Sequence, residues 1–253
     1  MATLKCAVVG TGIFGEIHCD VLSSYGRSEL ITICDLNEER AKSVAEQCKT
    51  DYRAVASNPD IEAVVVATPD FAHYDVAMAM LNAGKHVMIE KPMATSVDEA
   101  DEMVRTADQK GVVLMTDFHN RFNPPFVITK KRIEAGELGK VLMINTKLSD
   151  KISVPVEWFS WSGKSGPQWF LFPHIVDMCC WLLGKLPEQV YARGVKEVLP
   201  SKGVDCYDVV TAILDFGGAH AVVETSWVIP DSWMSLVEFV TDIQTSEGKV
   251  HID

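Results

Sequence analysis

The glycine-rich run GTGIFG at residues 10–15 is the part of this sequence whose residue types and spacing indicate phosphate chemistry. A valine-rich apolar run, typical of a buried strand, precedes it at residues 6–9, and residues 16–22 have helical spacing. In a strand–turn–helix, the first glycine permits the tight turn, the second lets the backbone approach a pyrophosphate, and the third lets the helix pack on the strand. The helix N-terminus then offers free N–H groups to the phosphates. The run therefore predicts a dinucleotide-binding turn formed by Gly10, Gly12, Ile13, Phe14 and Gly15.

Asp35 supports this interpretation, because it ends a short β-like run at residues 30–34 and follows the glycine run by about 20 residues. An acidic side chain at this spacing accepts hydrogen bonds from an adenosine ribose and repels a 2′-phosphate. The pattern therefore favours NAD over NADP as cofactor. The alternative is that Asp35 is a solvated carboxylate at the end of a strand.

Composition limits the classes of partner and of cellular environment. The formal net charge of −12 argues against nucleic acid or an anionic membrane surface as partner. No apolar run approaches the roughly 20 residues of a membrane-spanning helix, and the N-terminus lacks the pattern of a signal peptide. The seven cysteines are scattered without a CxxC pair, which is typical of reduced thiols and does not indicate a structural metal site. We therefore expect a cytoplasmic protein with a small-molecule substrate and no metal.

The elements that must position these residues alternate between strands and helices as far as about residue 115. The pattern predicts strands at residues 6–9, 30–34, 62–67, 86–89 and 112–115, with a further short strand at 50–54. It predicts helices at 38–48, 72–83 and 96–110, the last with a capping box formed by Ser96 and Glu99. This alternation is typical of a doubly wound parallel sheet, which binds ligands beyond the carboxyl ends of its strands. Gly10, Asp35, Thr68 and Lys91 should therefore gather on one edge of the sheet.

The pattern changes near residue 122, where we place the boundary between domains 1–122 and 123–253. A helix is predicted at residues 125–135, followed by strands at 141–148, 190–193, 209–216, 219–227, 236–241 and 249–252. Long strands without intervening helices indicate a mostly antiparallel sheet in an α+β domain. Six large aromatic residues between 158 and 172 fit either core packing or the wall of an apolar or sugar-stacking pocket.

Several further motifs occur in a fixed order along the chain. They are ATPD at 67–70 with His73, AGKHV at 83–87 leading into EKP at 90–92, NRFNP at 120–124, GELGKV at 136–141 and HIVD at 174–177. Together with the glycine run, they make the sequence resemble the Gfo/Idh/MocA oxidoreductases. The resemblance implies a Rossmann domain followed by an open-faced antiparallel sheet, with the active site between them.

The resemblance also implies roles for individual residues. Lys91 matches the family's catalytic lysine, which lies beside the nicotinamide and a substrate hydroxyl. His174 matches the histidine that takes the hydroxyl proton as hydride leaves. Other positions match residues that line the cofactor site, namely Thr68, Pro69, His73, Glu90, Pro92 and Asn120. Arg121 is a candidate either for that site or for the domain junction.

One departure from the family concerns the position four residues before His174, where many members carry an aspartate and this chain carries Phe170. Three alternatives follow. His174 works with Lys91 alone, or Asp177 supports the histidine as a catalytic residue, or the protein is not a dehydrogenase of the usual kind. Asp177 also fits a purely structural role as an acidic residue near a helix N-terminus.

A second departure is length, because family members are longer and this chain stops in what reads as a strand of the second sheet. We therefore expect an incomplete second domain and a homo-oligomer formed through that sheet. The leading interpretation is an NAD-dependent oxidoreductase that acts on a secondary alcohol or ketone of a cyclic polyol, sugar or dihydrodiol. The alternatives are an NAD(H)-binding sensor or scaffold without turnover, and an NAD-assisted glycosidase.

Overall fold

The computed structural model describes residues 3–44 and 48–253 and divides the chain into two compact units. The N-terminal unit is Met1–Asp117 and the C-terminal unit is Phe118–Asp253, so the division lies slightly before the domain boundary predicted at residue 122. No helix within the described ranges is long and apolar enough to cross a membrane.

The described part of the N-terminal unit contains a six-stranded parallel sheet with helices between the strands. The strand order is β3-β2-β1-β4-β5-β6, and each neighbouring pair is parallel. The strands are β1 (Leu4–Val9), β2 (Ser28–Cys34), β3 (Cys48–Lys49), β4 (Ala63–Val66), β5 (His86–Ile89) and β6 (Leu114–Thr116). The helices are α1 (Ile13–Ser24), α2 (Glu38–Val44), α3 (Tyr52–Ala56), α4 (His73–Asn82) and α5 (Val97–Lys110). The predicted doubly wound parallel sheet is confirmed.

The central strand β4 shows why this sheet forms. Its valines alternate between two apolar clusters, with Val64 and Val66 in one cluster and Val65 in the other. All three are buried, because helices cover both faces of the sheet. Burying a valine side chain contributes about 1.5–3 kcal/mol, so a continuous apolar run is favourable only in such a central strand.

Three local predictions in this unit are wrong. Residues 50–54 do not form a strand, because Asp51 caps α3 by accepting a hydrogen bond from the backbone N–H of Arg53 at 2.9 Å. The helix predicted to reach Cys48 is described only to Val44; residues 45–47 lie outside the described ranges, and Cys48 belongs to β3. Ser96 occupies the N-cap position of α5, but its side chain makes no capping hydrogen bond there.

The C-terminal unit contains a second six-stranded sheet among its described residues, with the order β12-β11-β7-β10-β9-β8. Its strands are β7 (Val141–Lys151), β8 (Gln189–Val195), β9 (Val209–Asp215), β10 (His220–Ile229), β11 (Val237–Thr245) and β12 (Lys249–Ile252). Its helices are α6 (Pro124–Glu134), α7 (Pro167–Phe170), α8 (Phe172–Leu183) and α9 (Val198–Ser201). The pair β7–β10 is parallel and the other described pairs are antiparallel. The prediction of a mostly antiparallel sheet is confirmed.

One face of this second sheet forms the core of the unit with α8. Ile144 and Trp227 from the sheet belong to the same buried cluster as Ile175 and Met178 from the helix. The alternation of buried and more exposed residues along β9 shows the two-residue period of a sheet covered on one face. The core therefore fixes α8, and with it the side chains at the helix start.

Some aromatic residues between 158 and 172 pack in the core, and others lie at the surface. The Phe170 ring lies 5.6 Å from the Trp227 ring and 5.2 Å from the Phe159 ring, centroid to centroid, and packs against the core. Trp158 and Trp169 are exposed by 50% and 36% respectively. Core packing thus accounts for the phenylalanine at position 170.

Replacing Asp208 with alanine should destabilise the C-terminal unit by about 1–3 kcal/mol. This buried carboxylate accepts hydrogen bonds at 2.7 Å from the backbone N–H groups of Glu197, Val198 and Leu199, and alanine would leave these groups without it. The urea midpoint of unfolding measures the loss. The control is Asp205→Ala at an exposed position, and equal midpoints for the two variants would contradict the account.

Candidate active site

The glycine turn brings the backbones of three elements closer than side chains would allow. Gly10 has a φ of +93°, and a Cβ there would lie 2.4 Å from the carbonyl oxygen of Ala67. A Cβ on Gly15 would lie 1.9 Å from the carbonyl oxygen of Gly10. A Cβ on Gly12 would meet no atom of the described residues within 4 Å. The first and third glycines are therefore required by packing, while the second faces the open space that a pyrophosphate needs.

The helix that follows this turn presents apolar side chains to solvent. Ile13 and Phe14, in the first turn of α1, are exposed by 52% and 37%. Large exposed apolar groups beside a phosphate-binding turn are available to contact a bound cofactor.

Asp35 ties the end of β2 to the glycine turn. Its Oδ2 accepts hydrogen bonds from the backbone N–H of Thr11 at 2.8 Å and from the Thr11 hydroxyl at 3.0 Å. Its Oδ1 accepts from the backbone N–H of Asn37 at 2.8 Å, and Arg40 Nη1 lies 3.7 Å from Oδ2. A carboxylate has about four acceptor sites, so Asp35 retains capacity for a ribose hydroxyl.

Thr68, just after β4, has a buried hydroxyl that is available to hydrogen-bond a ligand. Its Oγ1 is buried, and no hydrogen-bond partner for it lies among the residues that the structure describes. Buried hydroxyls are normally hydrogen-bonded. Pro69 follows and starts a short 3₁₀ turn at Asp70–Ala72. The orphaned hydroxyl and the space beside Gly12 fit a bound dinucleotide.

The Glu90-Lys91-Pro92 turn follows β5 and is held close to α1. Glu90 and Lys91 are buried, with 6% and 5% exposure. Lys91 Nζ lies 5.8 Å from the centre of the Phe14 ring, and Glu90 Oε1 lies 2.9 Å from Nε2 of His18. A buried ammonium group at the carboxyl end of a strand is suited to stabilising negative charge on a ligand.

His73, predicted to line the cofactor site, is a buried link between two turns. Its Nδ1 lies 2.7 Å from the carbonyl oxygen of Pro92, and its Nε2 lies 2.8 Å from that of Thr68. Burial lowers the pKa of this imidazole, against the raising effect of its two backbone contacts. His73 thus fixes the turns after β4 and β5 relative to each other.

The N-terminal unit contains a three-residue cluster that the sequence analysis did not predict. His18, Glu90 and Asp117 each place one possible metal-ligand atom within 4.8 Å of the others. His18 Nε2 is hydrogen-bonded to Glu90 and lies 3.7 Å from Asp117 Oδ2. These residues are far apart in the chain, and the available signal was that Glu90 and Asp117 end neighbouring strands.

His174 lies in the first turn of α8 and is buried, with 6% exposure. The amide nitrogen of Asn120 lies 3.3 Å from its Nδ1. The His119 ring packs edge-on against the His174 ring, with centroids 5.0 Å apart. Within the C-terminal unit the Asn120 amide contacts the candidate catalytic histidine, and its predicted place in the cofactor site stays a prediction.

Asp177 lies one turn after His174 and forms an ion pair with Arg121. Arg121 Nε donates to Asp177 Oδ2 at 2.8 Å, and Arg121 Nη2 donates to Oδ1. The hydrogen bonds to Asp177 raise the pKa of the Arg121 guanidinium. Both carboxylate oxygens are thus engaged by arginine in a bidentate pair, which favours a structural role for Asp177. The suggested support of His174 by Asp177 stays a prediction.

The glycine turn yields a paired test. Gly12→Ala should leave the melting temperature unchanged, because its Cβ would occupy only open space. It should weaken NADH binding by about tenfold, because that space is where the pyrophosphate is expected to lie. Gly15→Ala should lower the melting temperature, because its Cβ would overlap the backbone of Gly10. NADH fluorescence titration and thermal unfolding measure the two effects. Equal melting temperatures for the two variants would refute the packing argument.

Comparison with known proteins places both units in one family. The family model described as "Oxidoreductase family, NAD-binding Rossmann fold" matches residues 4–118, and the model "GFO/IDH/MocA C-terminal domain" matches residues 126–251. The uncharacterized oxidoreductase YrbE of Bacillus subtilis is 30% identical over 227 residues, covering 87% of this chain and 66% of YrbE. The NADP⁺-dependent scyllo-inositol 2-dehydrogenase IolW of the same organism is 30% identical over 234 residues, covering 90% of this chain and 64% of IolW.

Solved structures show the same architecture. GenD2 from gentamicin A biosynthesis, in complex with NAD, has a TM-score of 0.90 and 26% identity, covering 100% of this chain and 73% of GenD2. Levoglucosan dehydrogenase, in complex with NADH and levoglucosan, has a TM-score of 0.89 and 27% identity, covering 99% of this chain and 73% of the enzyme. The chain spans about two thirds of the length of the curated relatives YrbE and IolW. With both of its domains matched, the chain belongs to the Gfo/Idh/MocA oxidoreductase family.

Proposed function

We propose that this chain is an NAD-dependent oxidoreductase that interconverts a secondary alcohol and a ketone of a cyclic polyol, sugar or dihydrodiol. The observation that carries the proposal is the buried Lys91 ammonium, held at the end of β5 beside the helix that begins in the glycine turn. Two relatives are named for inositol and levoglucosan dehydrogenation, which supports this substrate class.

Lys91 is proposed to orient the reacting hydroxyl and to stabilise the negative charge that develops on its oxygen. The lysine is buried, with 5% exposure, so the attraction of its ammonium for a developing alkoxide is stronger than in bulk solvent. NAD, when bound, supplies the acceptor for hydride. Gly10, Gly12, Gly15 and the Thr68 hydroxyl would hold the dinucleotide.

His174 is proposed to take the hydroxyl proton. The amide nitrogen of Asn120 lies 3.3 Å from its Nδ1, and this contact restrains the orientation of the ring. Asn120 is thus proposed to orient the imidazole that acts as base in alcohol oxidation. In ketone reduction, the imidazolium returns the proton.

Asp35 is proposed to make NAD the preferred cofactor. Its carboxylate is fixed by Thr11 and Asn37 at the end of β2, where it would repel a 2′-phosphate. Arg40, 3.7 Å away, partly offsets that charge. NADP is therefore proposed as the weaker cofactor.

We also propose that the protein is a cytoplasmic homo-oligomer that associates through the C-terminal sheet. Tyr191 on β8 and Ile213 on β9 pair across the two strands and are exposed by 67% and 46%, which supports an interface on this face. A light-scattering mass equal to one chain would contradict the oligomer.

All seven cysteines lie in the described ranges and are free thiols, as expected in a reducing compartment. The net charge of −12 supports the proposal that nucleic acid is not a partner.

The second candidate function is NAD(H) binding without turnover. Phe170 favours it, because this position carries an aspartate in many family members and here packs into the core. The intact pair of Lys91 and His174 favours the enzyme.

Lys91→Met should abolish turnover and leave NADH binding unchanged. The test follows reduced-nicotinamide absorbance with NAD and a panel of inositols, aldoses and aromatic dihydrodiols, and parallel assays with NADP test Asp35. Turnover by the wild-type chain that persists in Lys91→Met would contradict the assignment. Absence of wild-type turnover, with NADH binding retained, would favour the second candidate.

Asn120→Ala should lower kcat about 10²-fold without changing the KM for NAD, because the His174 ring loses its orienting contact. Steady-state kinetics against NAD concentration separate the two parameters. A raised KM for NAD with an unchanged kcat would show that Asn120 binds cofactor instead. Ser201→Ala, at an exposed site on α9, is the control.

A further inference from the structure

We propose that His18 is a positioning residue for Lys91, acting through Glu90 to hold the Glu90-Lys91-Pro92 turn against α1. The proposal rests on the proposed function in that Lys91 is taken as the catalytic lysine. It concerns a histidine that the sequence motifs do not single out. Its structural part, the restraint on Lys91, can be measured without turnover.

The first observation is the arrangement of α1. Phe14 and His18 are four residues apart, so they lie on the same face of the helix, one turn above the other. Phe14 faces the ammonium of Lys91 at 5.8 Å, while His18 Nε2 contacts Glu90 Oε1 at 2.9 Å. One helix face therefore contacts two consecutive residues of the turn.

The second observation is that the His18 ring lies between the ends of two neighbouring strands. Asp117 follows β6, and its backbone N–H donates to the carbonyl oxygen of Ile89, the last residue of β5, at 2.8 Å. Its side chain brings Oδ2 to 3.7 Å from His18 Nε2. The imidazole thus joins α1 to both strands that lead into the site.

Burial makes this contact different from a surface ion pair. The side chains of His18, Glu90 and Asp117 are exposed by only 13%, 8% and 15%. An N–H group that meets a carboxylate in such a setting competes little with water and restrains both partners. Removing the ring would take away a donor that Glu90 uses and leave a void beside the turn.

The opposite end of the turn is held in a comparable way. His73 from α4 contacts the carbonyl oxygen of Pro92 at 2.7 Å. The residue before Lys91 and the residue after it are therefore each held by an imidazole from a different helix. Because α1 begins in the glycine turn, His18 also connects the phosphate-binding helix to the position of Lys91.

The chemical consequence concerns orientation more than affinity. Among the residues predicted to line the cofactor site, Glu90 contacts His18, whereas the glycine turn, Asp35 and Thr68 do not. Loss of the ring should therefore displace the Lys91 ammonium with a smaller effect on NADH binding than on turnover. Displacing a catalytic group by about 1 Å can cost about 10²-fold in rate.

The test compares His18→Leu with His18→Gln, whose side-chain amide N–H can replace the Nε2–H donor. His220→Leu, at an exposed position on β10, is the matched control. Competitive acetylation of the intact protein with acetic anhydride, read by mass spectrometry of the Lys91 peptide, reports access to this lysine without any substrate. NADH fluorescence titration and steady-state kinetics complete the set.

The proposal predicts that Lys91 is acetylated several-fold faster in His18→Leu than in the wild type, His18→Gln or His220→Leu. It also predicts a kcat lowered about 10–100-fold in His18→Leu alone, with a much smaller change in the NADH Kd. Equal acetylation of Lys91 in all four proteins would overturn it. So would a Gln variant as impaired as Leu.

Two further outcomes separate this proposal from others. If acetylation changes as expected but Lys91→Met keeps full turnover, the positioning stands and the proposed function fails. If EDTA exposes Lys91 in the wild type and added Zn²⁺ or Mn²⁺ restores its protection, the three side chains act as metal ligands and the hydrogen-bond account is wrong.

Discussion

The close approach of backbones at Gly10 and Gly15 is the constraint on which the rest of the N-terminal unit depends. Neither position has room for a Cβ, since the first faces Ala67 after β4 and the second faces Gly10 itself. This contact sets where α1 begins relative to β1 and β4. The start of α1 in turn decides that Phe14 and His18 face the residues that follow β5. The shape of the proposed cofactor-binding turn and the position of Lys91 thus have one structural origin.

Parallel strand order provides the second layer of organisation. The order β2-β1-β4-β5-β6 places successive candidate site residues on one edge, with Asp35, the glycine turn, Thr68, Glu90 with Lys91, and Asp117 each following its strand. Contacts cross between these strand ends, since the Thr11 N–H donates to Asp35 and His73 lies between the carbonyl oxygens of Thr68 and Pro92. The edge is therefore a connected set of restrained groups. In the C-terminal unit, the core under α8 holds His174 in an equally fixed setting beside Asn120.

Sequence reasoning predicted the features that depend on local pattern or on motif spacing. The valine run of β4 indicated a strand buried on both faces, and the glycine run indicated the turn before α1. Residues 50–54 were misread because the capping action of Asp51 outweighed the strand-like pattern, and Ser96 shows that a capping sequence does not guarantee the capping bond. The partners of His18 and of Asn120 across the fold left no sequence signal of their own. His18 with Glu90, and Asn120 with His174, are 72 and 54 residues apart and meet only through the topology.

Direct transfer of hydride is the central claim, and isotopic labelling tests it most directly. NADH carrying deuterium at both C4 positions would be incubated with the protein and the ketone of an alcohol that gives turnover. Mass spectrometry of the product alcohol then counts the deuterium. The account predicts one deuterium on the former carbonyl carbon, and none with Lys91→Met. A product formed without deuterium would show that hydride does not pass directly from the nicotinamide, which would contradict the account.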